Sequence, residues 1–397
     1  MPIDADRTLP LHRMRLPAPG RPKRTELPNG TPIWLVTRYD DVRQLLTDSR
    51  FRRSLLHAAG ARTITDAPTL LDSGDAINRL DGAEHVRLRR VISRAFTPRA
   101  VARMEPWVAQ VVDGLVDGLI AAGPPADLIT DYAFPLPAEV IRRLLAHDVE
   151  AERLLRWSAC AFAGNGPDEA MNRRAAVNDE LAEFTSALVT ERRRAPGDDL
   201  VSRVVRAADN EGGVTEAQLV HLICSLLVGG QDSTMTVIGN ALLYLLAERP
   251  QAWAAAGGDA RAASLLADRL IHLIPLGDRE ERPGHAFVAT ENIDIGGVRI
   301  LAGELATVDR LAANRDPTVF RGDLFEDLFA PLPHPTLSFG VGQHFCLGTW
   351  LARTEITLAL HRLASRLPAL RLTTSAYDIS WRQGAITRSP LHLPATW

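Results

Sequence analysis

The chain has 397 residues, of which 46% are hydrophobic and 23% charged, and its formal net charge at pH 7 is -3. That length and apolar content suffice for a large core and argue against disorder. The small net charge gives no basic field of the kind that attracts nucleic acid, so we expect no nucleic-acid partner.

The cysteines and the apolar stretches indicate the compartment. Three cysteines, Cys160, Cys224 and Cys346, are an odd and sparse set that suits a reducing environment better than a disulfide framework. The first residues lack the apolar core of a signal peptide. The most apolar stretch, 219–230, is shorter than the roughly 18–20 residues that cross a bilayer. We therefore expect a cytoplasmic protein with no membrane span.

The N-terminal half is predicted to be mostly helical. Residues 31–51 predict a strand followed by a helix, with the helix capped near Asp40 or Asp41. Residues 54–80 mix glycine, proline and aspartate with short apolar runs and predict a long loop with one short helix. Long loops in compact proteins are often functional. Hydrophobic periodicity predicts further helices over 82–96, 100–122, 138–147, 151–163 and 170–194.

The C-terminal half combines helices with a β portion. One long helix is predicted from Thr215 to the residue before Pro250. Residues 287–308 alternate in polarity and predict a hairpin that turns at two adjacent glycines. An amphipathic helix over 349–367 and a last hairpin over 379–393 follow. No linker or repeat divides the chain, so we predict one domain, residues 1–397, that is mainly α with a small β portion.

The stretch FGVGQHFCLG, residues 339–348, places Cys346 in a glycine-bearing loop that runs into a helix. A helix N-terminus favours thiolate over thiol. The glycines let the backbone approach a flat ligand, and Phe339 and Phe345 can shield the sulfur. Zinc would need more ligands than the nearby His344, whereas haem iron needs only one or two from protein. A buried, inert cysteine is the alternative that spacing alone leaves open.

That stretch resembles the haem-binding loop of the cytochrome P-450 family, Phe-Gly-x-Gly-x-His-x-Cys-Leu-Gly, at every specified position. The resemblance implies the family's triangular, mainly α fold and heme b, iron protoporphyrin IX, with Cys346 as the iron ligand. It also implies that EHVRLRR lies on the helix that reaches the haem propionates. The residues expected to bind the cofactor are His85, Arg89, Phe339, Gly340, His344, Cys346 and Gly348.

The spacing of His85 and Arg89 supports that assignment. Residues four apart lie on one helix face, as a shared anionic target requires. A solvated basic face is the alternative, because Arg87 and Arg90 lie alongside.

The long helix carries GGQDST, residues 229–234, which resembles the family's oxygen-binding kink. The resemblance gives Asp232 the role of the catalytic acid and Ser233 that of the alcohol, where the family usually has threonine. Thr234 is expected to point elsewhere on the helix. A surface carboxylate is the alternative for Asp232, but an otherwise apolar helix favours a buried, functional acid.

Two regions depart from the family pattern. Arg269 aligns with the glutamate and His272 with the arginine of the family's Glu-x-x-Arg, and its meander arginine is replaced within 322–329. Phe287 stands where the family often has an arginine for a propionate. Replacing a buried ionic set together avoids an unpaired charge, so we expect a working enzyme. The missing propionate contact must come from elsewhere, and His285 is a candidate.

The resemblance implies a haem-thiolate oxidase or monooxygenase that acts on a small molecule of bacterial secondary metabolism. Electrons would come from NAD(P)H through a separate ferredoxin and ferredoxin reductase, and we expect a monomer. Substrate contacts are expected from the 54–80 loop and from the following residues: Trp157, Phe162, Leu226, Gly229, Gly230, Leu276, Ala385 and Ile386. Two alternatives remain open: oxidative C–C or C–N coupling or cyclisation by the same haem without oxygen insertion, and a non-catalytic haem-fold protein that recruits a partner.

Overall fold

The computed structural model describes residues 18–27, 30–57, 72–163, 168–277, 286–383 and 385–397. Most of the regular structure in these ranges is helical. The helices are α1 (Tyr39–Thr47), α2 (Gly82–Ser93), α3 (Pro98–Ala102), α4 (Glu105–Ala122), α5 (Pro135–Leu145), α6 (Ala151–Ala161), α7 (Asp168–Arg194), α8 (Leu200–Glu211), α9 (Glu216–Gly229), α10 (Gln231–Glu248), α11 (Pro250–Gly258), α12 (Ala260–Leu273), α13 (Arg310–Asn314) and α14 (Thr349–Arg366).

The β portion is small and divided into three sheets. Its strands are β1 (Lys23–Glu26), β2 (Pro32–Val36), β3 (Phe51–Arg52), β4 (Ala126–Asp127), β5 (Phe287–Ala289), β6 (Ile293–Ile295), β7 (Val298–Ile300), β8 (Leu305–Val308), β9 (Arg371–Leu372) and β10 (Pro394–Thr396). The largest sheet has the order β1-β2-β8-β5-β3, with β2 parallel to β8 and the other pairs antiparallel. A second sheet has the order β4-β10-β9, and β6 pairs with β7 alone.

The predicted hairpin is confirmed in β6 and β7, where Ile293 pairs with Ile300. Its turn residues Gly296 and Gly297 have φ angles of 56° and 76°, which side-chain-bearing residues rarely adopt. The last predicted hairpin is present in a reduced form. It is held by an isolated bridge between Trp381 and Pro390 rather than by a full ladder.

The core lies where α14 packs against α4, α11 and α12 and where α10 crosses them. The leucine stripe predicted on α14 is buried, as Leu351, Leu360 and Leu363 show. A smaller cluster joins α1 to the five-stranded sheet through residues such as Val42 and Phe51. The five-stranded sheet and the helical core are therefore the two packed parts of the protein that position the site residues.

Some element boundaries differ from the predictions. Helix α1 begins at Tyr39 after the N-cap Arg38, so Asp40 and Asp41 lie inside its first turn instead of capping it. There the carboxylates still face the positive end of the helix dipole. The periodicity did not predict α8, α11, α12 or α13. The start of the long helix at Thr215 is confirmed by a capping box with Gln218.

The long predicted helix is divided at Gly230, where α9 ends and α10 begins. Together they form the one stretch, among the described residues, that is long and apolar enough to cross a membrane. However, 67% of its most apolar window is buried inside the protein. Such burial is what the core helix of a folded protein shows, in agreement with the expectation of no membrane span.

In the altered Glu-x-x-Arg region, neither Arg269 nor His272 forms an ion pair with a described residue. Arg269 is buried and donates to the backbone oxygens of Ala330 (2.8 Å) and Leu324 (3.4 Å). Burial lowers the pKa of Arg269, and the charge of Asp327 opposes that shift. The His272 side chain is 0% exposed and packs on the Phe320 ring, with ring centroids 4.6 Å apart.

His272 should make stability depend on pH. Burial lowers its pKa from 6.5 to about 3, and neither ring nitrogen has a well-formed hydrogen bond to a described residue. Between those pH values the unfolded chain binds a proton that the folded chain does not. Stability present above pH 6.5 is therefore lost as the pH falls toward 3, by up to about 1.4 kcal/mol per pH unit. We expect His272→Leu to weaken this pH dependence of the free energy of unfolding, measured by denaturant unfolding at several pH values. An equal pH dependence in wild type and variant would contradict the assignment.

Candidate functional site

The loop that carries Cys346 is shaped by two glycines with positive φ. Gly340 has φ 71° and Gly342 has φ 78°, and a Cβ on Gly342 would lie 2.7 Å from the backbone oxygen of Leu46. The loop closes where the Cys346 N–H donates to the Phe339 oxygen at 2.9 Å. Helix α14 begins three residues after the cysteine, as the sequence predicted.

The Cys346 sulfur opens into the interior of the protein. Part of the residue's surface is free, yet its thiol is desolvated, because that surface lines a cavity of about 1190 Å³. Burial raises the pKa of the thiol, while the Gly348 amide, the Thr349 hydroxyl and nearby cations oppose that shift. Burial prevails over these contacts, so the protein alone does not favour the thiolate that we expected. The positive charge of a bound metal favours it.

Most of the cavity wall is apolar. Ile141 of α5, Val237 of α10 and Ile274 after α12 contribute to it. Five of the residues predicted to contact substrate also line it: Phe162, Leu226, Gly229, Gly230 and Leu276.

Three other predicted substrate contacts are placed differently. Ile386 is absent from the wall. Its backbone N–H donates to the Phe162 oxygen, which holds the segment against the end of α6. Arg388 of the same segment does line the cavity. Trp157 lies in the core against Phe184, with ring centroids 4.9 Å apart. Ala385 bridges to Ala163 and is also absent from the wall. Of the 54–80 loop, Ile77 and Asn78 are in the wall, and residues 58–71 lie outside the described residues.

The part of the wall near Cys346 is cationic. His85 and Arg89 of α2 both line the cavity, so the predicted shared face is confirmed. The His85 ring lies 4.4 Å from that of His344, and Arg89 donates to the Phe345 oxygen at 2.8 Å. Burial, with the charges of His344 and Arg89, lowers the pKa of His85 to about 3. Its Nδ1 is buried without a hydrogen-bond partner in the described residues.

Asp81 ties three segments together beside this cationic wall. One carboxylate oxygen accepts the N–H groups of Arg53 (2.7 Å) and Ser54 (2.8 Å). The other accepts from Gln343 at 3.1 Å and lies 3.3 Å from His344 Nε2. Burial works against ionisation of Asp81, but the hydrogen bonds from His344 and Ser54 prevail and hold its pKa at about 2. Sequence reasoning missed Asp81, since no local motif marks it.

Asp232 lies behind the cavity wall. It is 1% exposed and forms an ion pair with Arg382, with oxygen–nitrogen distances of 2.6 and 2.8 Å. The Thr387 hydroxyl donates to the same carboxylate at 2.5 Å. The surface alternative for Asp232 is therefore wrong. Both partners come from the C-terminal hairpin, which sequence reasoning did not connect with α10.

Ser233 and Thr234 both line the cavity. The Ser233 hydroxyl donates to the Gly229 oxygen at 2.8 Å, across the break between α9 and α10. The expectation that Thr234 points elsewhere is wrong. Counted from Gly230, residues 233, 234 and 237 share one face at the helical spacing i+3, i+4 and i+7, so all three reach the wall.

The site fits a haem. No group of three or more His, Cys, Asp or Glu side chains in the described part of the chain can hold a metal ion by itself. A metal at Cys346 therefore needs ligands from elsewhere, which a porphyrin supplies. Gly348 leaves space at the sulfur, since a Cβ there would lie 4.0 Å from it. Cationic and apolar walls match a flat apolar ring that carries carboxylates.

Comparisons with known proteins agree with this site. No family model matches the chain. The nocardicin C N-oxygenase of Nocardia uniformis subsp. tsuyamanensis is 40% identical over 380 residues, which is 94% of this chain and 92% of that protein. The cytochrome P-450 monooxygenase PikC of Streptomyces venezuelae is 32% identical, covering 96% of this chain and 89% of PikC.

A solved structure extends the similarity to the fold. The crystal structure of cytochrome P-450mel, described as having biaryl coupling reactivity, superposes with a TM-score of 0.82 at 32% identity, covering 94% of this chain and 92% of that one. This similarity confirms the predicted fold class. Sequence identity, coverage and fold lead to one conclusion: the chain belongs to the cytochrome P-450 family of haem-thiolate oxidoreductases.

Proposed function

We propose that the protein binds heme b through Cys346 and acts, as a cytoplasmic monomer, as a monooxygenase on a small molecule of bacterial secondary metabolism. Electrons come from NAD(P)H through ferredoxin and ferredoxin reductase. The bound haem supplies the activation of O2, for which a thiolate ligand favours O–O cleavage. The observation that carries the proposal is the Cys346 sulfur opening into a cavity with cationic and apolar walls.

The chain's own residues orient the cofactor and the substrate. His85, Arg89 and His344 hold haem propionates, with Asp81 fixing the loop of His344. The apolar wall excludes water and positions the substrate by shape. Asp232 and Ser233 serve proton transfer into the cavity. Asp232 acts from behind the wall and Ser233 through its hydroxyl.

Oxidative coupling or cyclisation is the second candidate. The similarity to a P-450 with biaryl coupling reactivity favours it, because the two chains are 32% identical in sequence and have the same fold. The experiment begins with a library of small molecules, screened for a low-spin to high-spin shift of the Soret band. Hits are then incubated with NAD(P)H, ferredoxin, reductase and oxygen-18-labelled O2. Labelled product supports the monooxygenase, unlabelled coupled product supports the second candidate, and no substrate-dependent NAD(P)H consumption contradicts both in favour of a non-catalytic protein.

Ser233→Ala tests how far the protein itself organises proton transfer. The Ser233 hydroxyl is engaged with Gly229, and the Asp232 carboxylate with Arg382 and Thr387. We therefore expect a polar substrate to supply part of the proton path, so the variant keeps most of its product per NAD(P)H. A lost proton-transfer group would instead cost roughly 10²–10⁴-fold. The measurement counts NAD(P)H, peroxide and product together, and peroxide as the main product would contradict this expectation.

A further inference from the structure

The position where the family often carries a propionate arginine holds an aromatic ring in this protein. Phe287 begins β5 and pairs with Ala306 of β8. The Arg53 guanidinium lies over the Phe287 ring, 4.7 Å from its centroid. Phe287 is buried and contributes no charge, but the segments beside it bring two arginines to the cavity: Arg53 after β3, and Arg310 after β8.

Arg310 is a cation that donates no hydrogen bond to any residue that the structure describes. It begins α13 and lines the same cavity as Cys346. It is half-buried and desolvated, so its remaining free surface faces the cavity. Burial lowers the pKa of Arg310, while the negative charges of Cys346 and Asp309 oppose that shift. Among the residues that the structure describes, none accepts a hydrogen bond from its guanidinium. A desolvated guanidinium in that state calls for an anionic ligand.

Arg53 adds a second positive charge at the same place. It is 4% exposed; its one side-chain hydrogen bond to a described residue goes to the Asn78 oxygen at 3.2 Å, and its Nε is buried without a partner. Burial, followed by the charges of Arg310 and Arg79, lowers its pKa to about 9, with Asp81 opposing. Two desolvated guanidiniums that repel each other are stabilised when an anion lies between or beside them.

We propose that Arg310, with Arg53 beside it, binds a haem propionate in place of the arginine that the family often has at the Phe287 position. The inference rests on the proposed haem binding. In this arrangement the positive charge comes from residues that follow β3 and β8, the two strands that pair with β5, instead of from β5 itself. His285, the candidate from sequence, lies outside the described residues. Arg89 and the two histidines remain available for the other carboxylate.

The test is the rate of haem transfer from holoprotein to apomyoglobin. Arg310→Leu should release haem about 10- to 100-fold faster, as the loss of a charge-assisted hydrogen bond implies. Arg310→Lys keeps the charge but lacks the forked donors of a guanidinium, so its rate of haem release should lie between those of wild type and Arg310→Leu. Arg315→Leu is the matched control. Arg315 lies one residue after α13 and donates to the Leu273 oxygen at 2.8 Å, so its loss perturbs the same segment without removing a cavity cation.

A rescue variant separates anion binding from loss of stability. Phe287→Arg combined with Arg310→Leu returns a guanidinium to β5 and should restore slow haem release. Equal acceleration in Arg310→Leu and Arg315→Leu, or no rescue, would overturn the proposal and leave only a structural role for Arg310. Wild-type protein that holds haem while Arg310→Leu loses it no faster overturns the proposal alone. Wild-type protein that takes up no haem overturns the proposed function and this inference with it.

Discussion

Cys346→Ser is expected to abolish turnover and to remove the long-wavelength Soret band that marks the ferrous carbonyl complex of a thiolate-ligated haem. The sulfur, which we propose as the iron ligand, opens into the cavity, and the Cys346 loop is shaped by the positive φ angles of Gly340 and Gly342. A serine oxygen is a harder and weaker ligand at the same position. The measurement is the carbon monoxide difference spectrum together with substrate-dependent NAD(P)H consumption.

Cys160→Ser is the control for the loss of a thiol. Cys160 lies in the core near polar acceptors, with its sulfur 3.6 Å from the Arg174 oxygen and 3.7 Å from Asn178 Oδ1. A serine hydroxyl can donate to the same acceptors, so spectrum and activity should persist. If Cys346→Ser keeps the thiolate band, or if fresh, well-folded wild type lacks it, the assignment of Cys346 as the ligand is wrong.

Arg382→Leu is expected to cause the largest loss of stability. The Asp232 side chain is 2% exposed and that of Arg382 18%, and they lie 2.6 Å apart. Removal of the arginine leaves a buried carboxylate whose one remaining partner among the described residues is the Thr387 hydroxyl, and breaking such a pair costs roughly 3–5 kcal/mol. The loss should appear as a lower unfolding midpoint in denaturant and in thermal melting of the holoprotein.

A double variant distinguishes the buried charge from lost packing. Asp232→Asn with Arg382→Leu removes the charge as well, so it should be more stable than Arg382→Leu alone, with a coupling of roughly 0.5–3 kcal/mol. Arg299→Leu is the control, because Arg299 pairs with Asp294 on the surface at 3.0 Å and surface pairs contribute little. If Arg382→Leu unfolds at the same midpoint as wild type, the ion pair does not hold the C-terminal hairpin to α10.

The order of helices and the cysteine loop could be predicted because their signals are local. Apolar spacing along α14 and the glycines of the β6–β7 turn depend on residues a few positions apart. The error about Thr234 concerns a local signal as well. Ser233 and Thr234 lie three and four residues after Gly230, so helical spacing puts both on the cavity face, which the expectation for Thr234 overlooked.

The sequence by itself determined the family and the helix that carries His85 and Arg89, and it predicted Cys346 as the iron ligand, because each signal lies in one short stretch. Only the tertiary structure decided which distant residues complete the site. Arg53 and Arg310 reach the cavity because β3 and β8 both pair with β5, and Arg382 reaches Asp232 from 150 residues away. Strand pairing and hairpin docking depend on burial across the whole core, so the spacing of residues along the chain does not predict these contacts.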